Sequence, residues 1–277
     1  MEDKPYHWTQ ELFQEHPELF LGALEERRDR APEEVDALLR HLKEQERRPK
    51  RVLDLNCGVG RHSIELGRRG IEVLGTDISP RYMETARQRA EEAGVGGRVR
   101  FQVADMRRIA SRLAGEEPFD GIVCLWTSFG FYDDATNKKI LRQCLKLVHR
   151  GGFFALDIVN RDWLLQNYSE CRFARTEDGI VLQEGSFNPH DSRNYSTWTF
   201  LKQAGENAYT VEKSIKLDQR IWSLHELISL FEGAGWRFKT VYPGFFGPGL
   251  TPPHPARSPQ DDDILKSPML LVISCHP

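Results

Sequence analysis

The stretch VLDLNCGVGRHS, residues 52 to 63, decides how this sequence folds. An apolar run around the acidic residue Asp54 passes into a loop that contains glycines, after which the spacing of apolar residues becomes helical. The pattern predicts a strand, a tight loop and a helix in succession. Because Gly58 and Gly60 let a ligand approach the backbone closely, the loop is a candidate binding site.

Two kinds of ligand compete for such a loop. A dinucleotide places its pyrophosphate on the start of the helix, whereas S-adenosyl-L-methionine carries no phosphate. The carboxylate of Asp54 would repel a pyrophosphate and attract the ammonium and sulfonium groups of S-adenosylmethionine. Ser63 stands where a dinucleotide fingerprint has its third glycine. The loop therefore favours the methyl donor over a dinucleotide.

Acidic residues recur at the ends of the next two predicted strands. The runs IEVLGTD and RVRFQVAD end at Asp77 and Asp105. Apolar runs that alternate with helical segments are typical of a parallel sheet, in which the carboxyl ends of neighbouring strands share one edge. Asp77 can accept hydrogen bonds from two ribose hydroxyls, and Asp105 can accept one from an adenine amino group. These acidic strand ends together indicate a nucleoside site.

Length and composition fit one elaborated α/β domain. The chain has 277 residues, with 38 Lys and Arg against 41 Asp and Glu and a net charge of -3. It has no extended basic run, so nucleic acid is not an expected partner. The start MEDKPYHWTQ lacks an apolar core, and no later apolar run is long enough to span a bilayer, so we expect a cytoplasmic protein without membrane attachment. The five cysteines and the scattered histidines lack metal-ligand spacing, and we expect no metal.

Changes of pattern divide the chain into three parts. Residues 1 to 48 are predicted to form a helical prefix or lid. Residues 168 to 220 alternate β-branched and aromatic stretches with turn residues, which predicts an inserted antiparallel meander on the acceptor side. The main domain takes residues 49 to 167 and 221 to 277, and it includes a loop rich in proline and glycine over about 243 to 268.

Two helix starts have clear signatures. Ser79 is a natural N-cap before Pro80, and Gly94 is expected to end that helix. Ser223 and Glu226 form a capping box that opens the last predicted helix.

The chain from residue 51 onward resembles the class I S-adenosylmethionine-dependent methyltransferases, and it is most similar to bacterial and archaeal members that act on small or undefined acceptors. The resemblance is carried by VLDLNCGVGRHSIELGRRG, IEVLGTDISPRYMETAR, VADMR, FDGIVCLWTSFGFYDD and LVHRGGFFALDIVNRDWL, and it continues through SLHELISLFEGAGW and LLVISC. It implies an α/β, Rossmann-like, doubly wound sheet of seven strands, in the order 3-2-1-4-5-7-6 with the last strand antiparallel.

The resemblance also implies which residues bind the cofactor. The glycine loop would line the methionine end, the second strand end would hold the ribose, the third would hold the adenine rim, and the backbone after the fourth would bind the methionine amino group. The implied set is Asp54, Asn56, Gly58, Gly60, Asp77, Ile78, Asp105, Met106 and Leu125. Asn56 stands where the family usually has a glycine. Asparagine tolerates a positive φ better than other non-glycine residues, so we expect the turn to persist.

Side chains that follow the fourth and fifth strands would lie on the ligand edge of the sheet. The candidates for the acceptor pocket are therefore Trp126, Phe129, Tyr132, Asn160 and Arg161. Their alternative roles are packing for the aromatic residues, helix capping for Asn160 and a solvated position at a helix start for Arg161. No catalytic residue is assigned, since an acceptor such as a thiol or carboxylate needs no general base.

The sequence leads to three functional hypotheses. The first is in-line transfer of a methyl group from S-adenosylmethionine to an oxygen, nitrogen or carbon atom of a small molecule, by a monomer or homodimer. The second is an RNA or protein methyltransferase, although WTSF at 126 to 129 replaces the (Asp/Asn)-Pro-Pro-(Tyr/Phe) tetrapeptide that many base-amino methylases carry. The third is a NAD-binding oxidoreductase or a non-catalytic nucleotide-binding protein.

Overall fold

The computed structural model describes residues 7–176, 179–206, 208–245 and 264–277. Its strands form two sheets. They are β1 (Arg51–Leu55), β2 (Glu72–Asp77), β3 (Val99–Val103), β4 (Phe119–Cys124), β5 (Val148–Val159), β6 (Cys171–Thr176), β7 (Gly179–Asn188), β8 (Arg193–Gly205), β9 (Ala208–Arg220), β10 (Arg237–Tyr242) and β11 (Met269–Cys275).

The main sheet has seven strands in the order β10-β11-β5-β4-β1-β2-β3. Neighbouring strands from β5 to β3 are parallel, and β11 pairs antiparallel with both β5 and β10. This is the predicted order 3-2-1-4-5-7-6, read from the opposite edge, with the last strand antiparallel. The prediction of a Rossmann-like doubly wound sheet is confirmed.

The helices lie before the sheet and between its strands. They are α1 (Trp8–Gln10), which continues into a π-helical turn over Glu11–Glu15, then α2 (Glu18–Glu26), α3 (Ala31–Glu44), α4 (Arg61–Arg68), α5 (Pro80–Glu92), α6 (Ile109–Arg112), α7 (Asp134–Leu145), α8 (Arg161–Gln166) and α9 (Leu224–Gly233), with short 3-10 turns at Arg28–Arg30 and Met106–Arg108. Within the described ranges no helix combines the length and apolar character needed to cross a bilayer.

One apolar core lies on each face of the main sheet. Alternate residues of β1 enter different cores, Val52 with helices α3, α4 and α5, and Leu53 with α6, α7 and α9. Strands that are buried on both faces need a continuous apolar run rather than an alternating one, and this is the pattern that the sequence shows. Both cores leave the carboxyl edge of the sheet free for loops.

The two predicted helix caps are present. Ser79 Oγ accepts a hydrogen bond from the Tyr82 backbone N–H at 3.3 Å, and α5 ends two residues before Gly94. At α9, Ser223 Oγ accepts from the Glu226 N–H, and Glu226 Oε2 accepts from the Ser223 N–H at 2.9 Å. Because both caps follow from local sequence, the start of each helix could be placed correctly.

The segment predicted as a meander forms a separate antiparallel sheet in the order β6-β7-β8-β9. The prefix packs on this sheet, since Leu12 shares a small apolar cluster with Val181, Phe200 and Ile215. The prefix and the second sheet therefore meet above the main sheet. Most of the loop predicted over 243 to 268 lies outside the described residues.

Gly60 and Gly94 provide a matched test of packing at the loop. Both have a positive φ, 78° and 70°, but a Cβ at Gly60 would lie 2.7 Å from Phe101 Cζ whereas a Cβ at Gly94 would meet nothing within 4 Å. Gly94→Ala is expected to lower the free energy of unfolding by about 1 kcal/mol through backbone strain. Gly60→Ala should lower it by about 3 kcal/mol, because overpacking adds to the strain. Urea denaturation measures the free energy of unfolding of both variants. Equal losses would show that Phe101 can shift to accommodate the added methyl group without cost.

Candidate active site

A cavity of about 310 Å³ lies over the carboxyl ends of strands β1 to β4. Its floor is formed by strand ends and by the glycine loop. Its cover comes from the prefix, from the loop after β4 and from the second sheet. Three segments that are distant in the sequence thus enclose one space.

Asp54 lies on the floor of the cavity as part of β1. Its side chain is buried, and Ser63 Oγ donates to its Oδ2 at 2.6 Å. Burial raises the pKa of Asp54 to about 7, and the nearby Asp77 carboxylate acts in the same direction. A buried carboxylate of this kind favours a cationic ligand group, because such a group would restore its preference for the ionised form.

Asp77 joins the glycine loop to the end of β2. Its carboxylate accepts hydrogen bonds from the backbone N–H of Gly58 at 3.0 Å and from that of Ser79 at 2.9 Å. Burial raises its pKa to about 6, although these backbone donors favour the ionised form. Each carboxylate oxygen keeps a further lone pair, so Asp77 can accept from two more hydroxyl groups.

Asn56 adopts the positive φ that the sequence predicts, 59°. Its Nδ2 donates to the Ser128 carbonyl oxygen at 2.7 Å and to Met106 Sδ at 3.1 Å. A glycine could not make these contacts. The altered loop therefore keeps its turn and gains links to the loops after β3 and β4.

Asp105 and Met106 follow β3 at the far end of the cavity. Arg107 already engages the Asp105 carboxylate, with Nη2 at 2.6 Å from Oδ2 and Nε at 3.0 Å from Oδ1. The Arg107 guanidinium also lies over the Tyr132 ring, 4.9 Å from its centroid. An adenine amino group would therefore share Asp105 with Arg107.

Most of the residues predicted to bind the cofactor line the cavity: Asp54, Asn56, Gly58, Asp77, Ile78, Asp105, Met106 and Leu125. Gly60 does not. It is the N-cap residue of α4, and a side chain at this position would point at the Phe101 ring and not into the cavity. Its missing side chain serves the packing of loop against strand.

Two of the acceptor candidates, Trp126 and Tyr132, line the cavity. Phe129 does not, because it is completely buried and stacks on Trp222 with ring centroids 5.5 Å apart. The loop after β4 thus directs Phe129 into the core and Trp126 and Tyr132 towards the cavity.

The structure does not bring Asn160 and Arg161 to the cavity. Asn160 caps α8 and donates to the Ile264 and Ser267 carbonyl oxygens at 2.7 and 2.8 Å. Arg161 pairs with Glu226 at 2.7 Å. Asn160 thus has the helix-capping role that was its alternative, whereas Arg161 forms an ion pair and is not the solvated arginine that was its alternative.

Trp126 and Thr127 both take a positive φ, 53° and 59°, which sequence reasoning did not predict. For a β-branched residue such as Thr127 this conformation is strained. Asp157 on β5 holds it, because its Oδ2 accepts from the Trp126 N–H at 3.0 Å and its carbonyl oxygen accepts from the Thr127 N–H at 3.0 Å. Burial raises the pKa of Asp157 to about 7. The strained turn directs the Trp126 ring into the cavity wall.

A second unpredicted feature is a buried cluster at the start of α4. Arg61 Nη1 and His62 Nε2 both donate to Glu34 Oε2 of α3, at 2.6 and 2.8 Å. Burial opposes ionisation of Glu34, but His62 and Arg61 together lower its pKa. Burial lowers the pKa of His62 to about 4, so His62 is neutral at pH 7. Both Arg61 and His62 line the cavity.

The cover of the cavity is mainly aromatic. Phe20 of α2 stacks on Trp126 with centroids 5.6 Å apart and lies 5.7 Å from Trp198 of β8. Polar atoms on this side come from uncharged side chains, among them Gln183 and Gln219 of the second sheet. The acidic side chains therefore line the floor of the cavity, and aromatic side chains line most of its cover.

Comparison with known proteins agrees with this geometry. Residues 52–152 match a family described as a methyltransferase domain. The chain is 32% identical over 179 residues to a ubiquinone biosynthesis O-methyltransferase of Psychrobacter cryohalolentis, covering 62% of this chain and 66% of that protein. It is 33% identical over 144 residues to a glycine/sarcosine N-methyltransferase of Parasynechococcus marenigrum, covering 52% of this chain and 49% of that protein. The chain thus spans just under two thirds of the first relative and about half of the second.

Among solved structures, an S-adenosylmethionine-dependent methyltransferase from Clostridium acetobutylicum superposes with a TM-score of 0.68 at 16% identity, over 87% of this chain and 90% of that one. A likeness at this identity concerns the fold. The matched residues 52–152 contain the glycine loop and the acidic strand ends that form the cavity floor. With its sheet order, its floor and these matches, the chain has the Rossmann-like fold of the S-adenosylmethionine-dependent methyltransferases and carries a methyltransferase domain over residues 52–152.

Proposed function

We propose that this protein transfers the methyl group of S-adenosylmethionine to an oxygen or nitrogen atom of a small, flat and mainly apolar molecule. One observation carries the proposal: a single cavity has a charged floor at the strand ends and an aromatic cover opposite. The floor suits a polar nucleoside with an amino-acid part. The cover suits a flat acceptor, because aromatic walls bury large apolar area and favour stacked rings.

The floor fits the donor in charge and shape. Asp54 faces the region where a cationic sulfonium and ammonium would lie, and Asp77 has lone pairs available for ribose hydroxyls. Gly58, at φ 56°, leaves the loop backbone open to the ligand. A diphosphate would instead meet two buried carboxylates, which argues against a dinucleotide. When bound, S-adenosylmethionine supplies a methyl group that its sulfonium has already activated.

The chain's own part in the reaction is positioning and exclusion of water. Trp126, Phe20 and Trp198 form one wall, and orientation within such a site can supply about 7 to 11 kcal/mol of the barrier. Burial raises the pKa of Tyr132, so its hydroxyl keeps its proton and can orient an acceptor as a donor.

The neutral side chains of the second sheet support an uncharged acceptor. Gln219 Nε2 donates to the carbonyl oxygens of Thr127 and Phe129, both at 3.2 Å, which leaves its own Oε1 free to accept. The names of the curated relatives, an O-methyltransferase and an N-methyltransferase, support oxygen and nitrogen as the nucleophilic atoms.

The test is a screen of metabolite pools for transfer of an isotope-labelled methyl group, with calorimetry of S-adenosylmethionine and S-adenosylhomocysteine binding alongside. We expect labelled product in a fraction of apolar, ring-containing compounds, and none with an Asp77→Ala control. Tight NADH binding without any response to S-adenosylhomocysteine would favour an oxidoreductase instead. Labelling of RNA or protein, together with retention of this protein on heparin at physiological salt, would show that the acceptor is a macromolecule.

A further inference from the structure

A second cleft, of about 550 Å³, lies beside the active-site cavity at the carboxyl end of β3. Its walls come from the turn after β3, from α6, from α7 and from the prefix. Ile78 and Asp105 line both this cleft and the active-site cavity, so the two spaces are neighbours. We call it the outer cleft, and its cationic lining residues are Arg107, Arg108, Arg112 and Lys139.

The outer cleft carries an excess of positive charge. Among its lining residues Asp105 is the only carboxylate, and Arg107 already pairs with it at 2.6 Å. Arg108, Arg112 and Lys139 are exposed, and none of them forms an ion pair within the described ranges. Three positive charges thus remain uncompensated in one cleft, although the net charge of the whole chain is -3.

The backbone that carries these cations is fixed by α7. Gln143 Nε2 donates to the Arg107 carbonyl oxygen at 2.7 Å, and Gln143 Oε1 accepts from the Ala110 N–H at 3.3 Å. Lys139 lies one turn before Gln143, so the face of α7 that holds the turn also presents an ammonium group to the outer cleft. Because the fold itself brings these like charges together, a bound anion would relieve their mutual repulsion.

The shape and the charge of the outer cleft favour a small oligophosphate. Arginine and lysine are well suited to phosphate oxygens, and arginine can bind them in a bidentate manner. A diphosphate or triphosphate group concentrates several negative charges, and a cleft of this volume is in the range of small-molecule sites. Gln14 and Thr136 add uncharged polar groups to the lining. A nucleic acid would need a basic surface that follows its backbone over many phosphates, whereas these cations lie within one cleft.

We propose that the outer cleft is a binding site for a small molecule that bears a diphosphate or triphosphate group. Arg108 of the 3-10 turn, Arg112 of α6 and Lys139 of α7 contact the phosphate oxygens. Arg107 borders both sites, because it lines the outer cleft while it holds Asp105. The site lies outside the active-site cavity, and its existence does not depend on the proposed methyl transfer.

The test uses inorganic phosphate, pyrophosphate and tripolyphosphate as probes, in calorimetry with the full chain at low and at physiological salt. We expect the affinity to rise in that order, because a longer phosphate chain engages more cations, and to fall with salt. Arg108→Gln/Arg112→Gln should bind tripolyphosphate about 25-fold more weakly, at about 5-fold for each exposed cation removed, and Lys139→Gln about 5-fold more weakly. Arg107 is left unchanged, since it also pairs with Asp105.

The matched control is Arg28→Gln/Arg30→Gln. Both of these arginines are exposed on a 3-10 turn that does not line the outer cleft, and the double change removes the same charge as Arg108→Gln/Arg112→Gln. We expect the control to bind tripolyphosphate within about 2-fold of wild type. Because all four side chains are exposed, the variants should keep the fold, and thermal denaturation checks this.

Three results would overturn the proposal. Equal losses of affinity in the control and in Arg108→Gln/Arg112→Gln, or no loss in either, would show that tripolyphosphate responds only to the general charge of the surface. Equal affinity of the wild type for the three phosphates would show that the cations do not act together. Tighter binding of a single-stranded RNA oligonucleotide than of tripolyphosphate, lost in Arg108→Gln/Arg112→Gln, would assign the outer cleft to nucleic acid. None of these measurements uses S-adenosylmethionine, so their outcome is independent of the proposed function.

Discussion

Replacement of Asp77 by alanine is expected to lower the affinity for S-adenosylhomocysteine by about 100-fold or more, the sum of two lost hydrogen bonds from ribose hydroxyls to a charged group. The change also removes the acceptor that holds the Gly58 and Ser79 N–H groups at 3.0 and 2.9 Å. The glycine loop would then lose its anchor to β2. Calorimetry gives the affinity, and thermal denaturation shows whether the variant is folded.

Glu72 provides the matched control at the other end of the same strand. It is exposed and pairs with Arg51 at 2.9 Å, far from the cavity, so Glu72→Ala should leave the affinity unchanged. Asp77→Asn keeps the size of the side chain, but its amide nitrogen would face the N–H of Gly58 or Ser79. We expect it to bind more weakly than wild type as well. Unaltered affinity for S-adenosylhomocysteine in both Asp77 variants would show that the ribose does not bind at this strand end.

The sequence was sufficient for features that depend on local chemistry. The Ser79 cap, the Ser223 capping box and the positive φ of Asn56 each follow from the residue type and its immediate neighbours. The sheet order followed from the family resemblance, together with apolar runs that are buried on both faces. Parallel strands bring their carboxyl ends to one edge, so the acidic strand ends predict where the floor of the cavity lies.

The features that could not be predicted depend on contacts between distant segments. Asp157 on β5 supports the strained Trp126 and Thr127 because β5 lies beside β4, although Asp157 is 31 residues from Trp126 in the chain. Arg61 meets Glu34 across the packing of α4 on α3, and a helical pattern does not show which face a buried arginine uses. Both contacts are set by packing rather than by spacing along the sequence.

The acceptor candidates show the same limit at the level of single side chains. Position after a strand end places a residue on the ligand edge, but it does not say whether the side chain points into the cavity. Trp126 and Tyr132 line the cavity, whereas Phe129 enters the core beside Trp222. Gly60 differs from Gly58 in a similar way, since the cavity needs one glycine and the contact with Phe101 needs the other.

The affinity for S-adenosylmethionine is expected to rise by about 50-fold between about pH 5 and about pH 7.5. Burial raises the pKa of Asp54 to about 7 in the free protein, so its carboxyl is largely protonated at the lower pH. A bound cation favours the carboxylate and lowers this pKa, so binding at low pH must release a proton. Affinity therefore falls as pH drops below about 7, and calorimetry in buffers of different ionisation enthalpy would detect the released proton directly.

The same shift has the opposite effect on folding of the free protein. The Asp54 carboxyl has a reference pKa of 3.8 and a folded value of about 7, so the folded chain binds more protons between these values. The free energy of unfolding should consequently fall as pH rises from about 4 to about 7, and saturating S-adenosylmethionine, which lowers the pKa of the bound carboxyl, should abolish that trend. Chemical denaturation at several pH values, with and without ligand, measures both slopes.

Asp157 supplies the matched control for the pH dependence of binding. Burial raises its pKa to about 7 as it does for Asp54, but Asp157 holds the Trp126 turn and is not among the cavity-lining residues. Asp157→Asn should keep the rise in affinity with pH, whereas Asp54→Asn has no proton to release and should lose the larger part of it. 5'-Methylthioadenosine has no ammonium or sulfonium and should show a smaller rise with the wild type. A full rise in Asp54→Asn would mean that the proton leaves another group, and Asp54 would then not face the cationic part of the donor.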